Sequence, residues 1–71
     1  MDQDTFSFVV YIIHACADQW QVSPSKAYQI LKDSGCLDNY LIPYADILHT
    51  QSTQYVVHDL EKYLSERGVK V

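Results

Sequence analysis

A chain of 71 residues and 8.2 kDa is expected to hold one domain, residues 1–71, below the size at which a core alone stabilises a fold comfortably. With 48% hydrophobic and 20% charged residues, it is neither a disordered chain nor a bilayer-spanning one; two Gly and two Pro leave too few turns for a β-sandwich or barrel, so an all-α fold is expected. Five Lys and Arg against nine Asp and Glu give a net charge of −4, which disfavours nucleic acid and acidic membranes as partners.

From residue 4 to residue 20, Asp4, Ser7, Tyr11, His14 and Asp18 step by three and four, tracing the polar stripe of a helix. The remainder of that helix is apolar. Phe6, Val9, Val10, Ile13, Cys16, Ala17 and Trp20 form one flank, and Phe8, Ile12 and Ala15 widen it beyond half the circumference. A face that wide is either central to a bundle or shared with a second chain, so Phe8 and Ile12 are candidate interaction residues. Asp4 or Thr5 is expected to cap the helix start. The apolar stretch is too short to span a bilayer, and it follows Asp2 and Asp4 where an export signal carries basic residues, so a cytoplasmic location is expected. Cys16 and Cys36 lack a CxxC spacing and are expected as buried, reduced thiols.

The second helix, about 24–34, has Ser23 as its cap, Pro24 in its first turn and Gly35 beyond its end, with Ala27, Ile30 and Leu31 inward and Tyr28 at their edge. Between Leu37 and Gln51, Pro43 predicts a break at Ile42. Asp38 is expected to cap a short turn through Tyr40 and Leu41, Pro43 to open a short third helix, and residues 49–51 to form a connection. The fourth helix begins at Ser52 or Thr50, buries Val56, Leu60, Tyr63 and Leu64, carries Glu61 and Lys62 on its wet side, and ends at Gly68 before Val69 to Val71, a frayed tail or a short strand-like edge that docks elsewhere. The predicted architecture is a small bundle of about four helices, the third short and broken near Pro43.

Catalytic and metal chemistry have weak support. Zinc requires three or four ligands at closed spacing, whereas Cys16, Cys36 and the three histidines are spread singly, so neither metal nor cofactor is expected. Asp46 and His49 are a carboxylate and an imidazole at helical contact spacing. A structural role for His49 beside Thr50 and Ser52, bonding loop backbone, is favoured over a ligand role. Residues 17–31 have the outline of a helix-turn-helix, with Ala17 and Ile30 at its buried positions, but Gln21 replaces the turn glycine and only Lys26 and Lys32 are basic. DNA-binding regulation is therefore the alternative reading. No basic residue precedes Lys26 and none lies between Lys32 and Lys62; a solvated acidic surface explains this, with a basic partner as the sharper alternative.

Six tyrosines and one tryptophan exceed what so small a core hides, and amphipathic rings are common at interfaces. Tyr40 and Tyr44, with Phe8 and Ile12, are thus the candidate surface of a non-enzymatic module that binds itself or a protein partner. The run Asn39-Tyr40-Leu41-Ile42-Pro43-Tyr44-Ala45-Asp46-Ile47-Leu48-His49-Thr50-Gln51, the Ser23 to Gly35 helix and the Tyr55 to Leu60 segment resemble a family of short bacterial proteins known as domain of unknown function 3791. Leu48-His49-Thr50-Gln51 is the most distinctive part, and Asp46, His49, Thr50 and Gln51 are its candidate structural motif. Ala45 and Ser52 depart mildly from the family pattern. The resemblance implies no reaction; members lie near genes for larger proteins resembling ADP-ribosyltransferases, which implies an antitoxin-like partner role.

Overall fold

Helix α1, Gln3–Trp20, is capped by Asp2 rather than by Asp4 or Thr5: the Asp2 carboxylate accepts from the Thr5 N–H at 2.7 Å. That bond satisfies an orphan donor of the first turn and holds the Asp2 carboxyl below its ordinary range. The structure is a computed structural model describing residues 1–71. At the other end of α1, Gln21 turns left-handed (φ 59°, ψ 44°). The N–H groups of Gln21 and Val22 reach back to the carbonyls of Asp18 and Ala17 at 3.4 and 3.0 Å, a Schellman closure with glutamine where glycine is usual. A side chain at positive φ is strained by roughly 1–2 kcal/mol, partly offset for glycine by its freer unfolded chain. Gln21→Gly should therefore raise stability by about 0.5–1 kcal/mol, read as a higher urea midpoint at unchanged slope.

Helix α2, Pro24–Asp33, is punctuated as expected: the Ser23 hydroxyl accepts from the Lys26 N–H at 3.1 Å, and Gly35 turns left-handed at φ +85°. Its Ala27 and Leu31 are buried and Ile30 half-buried as it packs along α1. The chain then makes a single π turn, Leu37–Leu41, in which the Ile42 N–H bonds the Leu37 carbonyl five residues back at 3.0 Å. Pro43 has no N–H to donate, and the next donor, Tyr44, bonds Tyr40 at 3.1 Å. The wider turn thus carries the chain past the proline, and α3 forms at Ala45–Leu48.

The break falls at Ile42–Pro43 as predicted, but Pro43 stands two residues before α3 instead of opening it. Asp38 does not act as a cap. It lies inside the π turn and takes the Lys32 ammonium at 2.8 Å instead, a contact its sequence position five residues beyond α2's last residue makes available.

Helix α4, Thr53–Glu66, starts at Ser52, whose hydroxyl accepts from the Tyr55 N–H at 3.1 Å. Its end is a second Schellman closure, with Gly68 at φ +77° and the Val69 N–H on the Leu64 carbonyl at 2.9 Å. Val69 then packs on the core, so of the two readings the tail docks, through that residue and without forming a strand.

The core draws on every helix: Phe8, Val9, Ile12 and Cys16 meet Leu31, Leu37, Leu41, Leu48, Val56, Leu60 and Leu64, with no buried charged residue. The all-α bundle is as expected, with a short third helix and no strand. The inward arc of α1 is not. Phe8 is 8% exposed and Ile12 fully buried, so both belong to the core rather than to a free flank, while Phe6 is 57% exposed. The reason is tertiary: α2, α3 and α4 all pack against α1, and the His49 ring covers Phe8. Cys16 and Cys36 are buried free thiols, and burial pushes both up to about 12. Neither is a thiolate at neutral pH, so a disulfide-exchange reagent should label no thiol in the native protein and both in denaturant.

Candidate functional site

Tyr40 leaves the π turn with its ring 5.5 Å from that of Tyr44, four residues on, and stacked 5.5 Å from that of Tyr63 on α4 at 17°. The Arg67 guanidinium lies 3.9 Å over the other part of this column, on the Tyr63 ring. A ladder Tyr44, Tyr40, Tyr63, Arg67 results. It is locked from the side, because the Tyr40 phenol donates to the Asp59 carboxylate. Tyr44 is 48% exposed and Ile47, one turn further on, 63% exposed, so the ladder's open end presents apolar surface.

The bond to Asp59, helped by burial, pushes the Tyr40 phenol up to about 12. A raised acid favours the fold while protonated. Its contribution is complete below the ordinary tyrosine value near 10 and is lost as pH rises from there through about 12. Alkaline absorbance titration should show one tyrosine ionising late, a step that Tyr40→Phe removes.

The Leu48 to Gln51 run fastens α3 to α1 and opens α4. Leu48 is buried, the His49 ring packs on the Phe8 ring at 4.9 Å, and the Thr50 hydroxyl donates to the Ile47 carbonyl at 2.7 Å. The backbone bonding foreseen for His49 is carried out by Thr50 and Ser52, and His49 contributes its ring face. Asp46 and His49 border one hollow with Asp2 and Asp4 without bonding each other, whereas Gln51 lines a neighbouring hollow of about 370 Å³ between α1 and the start of α4.

The other titratable groups do not converge. His14 bonds the Val10 carbonyl of its own helix at 2.9 Å, His58 lies 3.8 Å from Glu61, and no three His, Cys, Asp or Glu side chains are grouped as a metal would require. On α2, Ser25, Lys26, Gln29 and Lys32 are exposed, but the Gln29 amide donates to Asp33 and Lys32 is held by Asp38, both at 2.8 Å. Gln21 supplies the left-handed turn that a helix-turn-helix requires of its glycine.

Two contacts escaped the sequence. The Trp20 indole N–H donates to Glu61 at 2.8 Å across 41 residues, turning inward a carboxylate read as solvated. Tyr63 joins the tyrosine ladder from another helix, and no local spacing signals either contact. No helix is long and apolar enough to cross a membrane. No curated protein and no solved structure matches the chain. A family model described as "Protein of unknown function (DUF3791)" does match, over residues 7–67, and the chain belongs to that family.

Proposed function

We propose that this chain is a non-enzymatic, single-domain interaction module, residues 1–71, that binds a protein through the surface at Tyr40, Tyr44 and Ile47. The bound protein is a second copy or an antitoxin-like pairing partner. One observation carries the reading: Tyr44 and Ile47 stand exposed at the open end of a ladder whose inner rungs Asp59 and Arg67 already fix. Rings ordered before binding lose little entropy on binding, and tyrosine is enriched among residues that dominate interface energies. Buried free thiols suit a reducing, cytoplasmic setting, and the family resemblance suits a bacterial one.

Tagged protein isolated from its host, followed by sedimentation equilibrium, tests this. A homodimer or a stoichiometric protein partner is expected. Tyr44→Ala with Ile47→Ser should weaken that association at least about tenfold, at unchanged helicity, since each anchor contributes about 1 kcal/mol or more. A strict monomer with no protein partner contradicts the reading.

The left-handed turn at Gln21, feeding the Ser23-capped α2, favours a second reading as a helix-turn-helix DNA-binding regulator. Its gel shift on duplex DNA should fall steeply with salt and with Lys26→Ala. Absence of any shift at low salt ends that reading.

A further inference from the structure

We propose that the seam between α1 and the first half of α4 is a docking groove for an extended, basic segment of a partner protein. The proposal rests on the interaction-module reading but not on its tyrosine surface, which lies on the opposite flank of α4: Gln54, Val57, His58 and Glu61 face the seam, while Asp59, Tyr63 and Glu66 face the ladder side.

Three adjoining hollows, of about 370, 460 and 310 Å³, run along this seam. The first and second share Tyr11 and Thr53; the second and third share Ala15, Gln19 and Gln54, so together they form one trough. Its wall on α1 reaches from Asp4 to Asp18, about 21 Å at the rise of a helix. An extended segment of about six residues has that length. The hydroxyls of Tyr11 and Thr53, bonded at 2.9 Å, tie the two walls together.

Charge selects the occupant. Asp4, Asp18 and Glu61 border the trough, and none of the chain's five basic side chains does. The lysine ion pair of the protein engages Asp38, and Glu61 lies 3.8 Å from His58, which leaves the Asp4 and Asp18 carboxylates without a cation. These three of the nine acidic residues face no Lys or Arg across the seam, which is bordered as well by the imidazoles of His14, His49 and His58. Backbone recognition is also provided. The amides of Gln19, Gln51 and Gln54 line the trough, and each offers a donor and an acceptor, the complement of an extended peptide's backbone. Ala15 and Val57 keep the floor apolar and shallow.

Amide NMR of the full chain, titrated with acetyl-(Lys-Ser)3-amide and separately with acetyl-(Glu-Ser)3-amide, tests the groove. The basic peptide should shift Tyr11, Gln19, Gln54 and the Trp20 indole, and the acidic one should shift nothing. Asp4→Asn with Asp18→Asn should weaken binding about fivefold, as two exposed charge contacts would. Asp18→Asn alone, at an exposed position in the last turn of α1, should show a smaller loss in the same direction. Asp33→Asn with Glu66→Gln changes the net charge equally away from the seam and should leave binding within about twofold.

Shifts scattered over the surface, an equal loss in that control, or no shift at millimolar peptide overturn the groove. Shifts centred on Tyr44 and Ile47 also overturn it while upholding the tyrosine surface. Binding at the seam by a chain that neither dimerises nor takes a partner through Tyr44 supports the groove and removes the tyrosine reading.

Discussion

Ile12→Ala should cost about 2–5 kcal/mol, against a total stability of roughly 4–10 kcal/mol for a chain of this size. Ile12 is fully buried on α1, the helix against which α2, α3 and α4 all pack. Shortening it removes three buried carbons and leaves a void that the helices packed on α1 would have to move to fill. Phe6→Ala, although it deletes a larger side chain, should change stability by less than about 1 kcal/mol, because Phe6 is 57% exposed. Urea unfolding followed by circular dichroism distinguishes the two. If instead Phe6 faced the core and Ile12 a free flank, the order of the two losses would reverse.

Gly35→Ala should cost about 1–2 kcal/mol. Gly35 sits at φ +85°, where an L side chain is strained by that amount, and it connects α2 to the π turn that presents Tyr40. A β-carbon there would also come within 2.9 Å of the Asn39 side-chain nitrogen. That end is flexible and moves aside cheaply, so the backbone carries most of the cost. Gly68→Ala is the matched comparison: φ is +77° and nothing lies within 4 Å of the added carbon. It should be the milder change, since the added carbon meets nothing and only the positive-φ strain remains. Equal or reversed losses by urea midpoint would contradict this placing of the strain.

The parts of the fold legible in the sequence are those set by local chemistry. Ser23, Pro24 and Gly35 delimit α2, and Ser52 and Gly68 delimit α4, because capping and left-handed residues act within a few positions of the backbone they satisfy. The polar stripe Asp4, Ser7, Tyr11, His14, Asp18 is exposed throughout, as a helical period requires. The opposite face was not resolvable, since α1 is apolar over more than half its circumference and only the packing of the other helices on it selects Phe8 and Ile12 over Phe6. Asp38 looked like a cap because caps are local, and it instead meets Lys32 of the preceding helix. At the candidate site, the Tyr40–Tyr44 pair follows from helical spacing, whereas Tyr63, Asp59 and Arg67 reach it only through the packing of α4.

The central claim, that a protein docks on the open end of the tyrosine ladder, is met most directly by hydrogen exchange on the isolated assembly compared with the dissociated chain. Backbone amides of residues 42–48 should exchange more slowly in the assembly, with the rest of the surface unchanged apart from the α1–α4 seam. Protection confined to α2, or an assembly in which residues 42–48 exchange as fast as in the free chain, would contradict it.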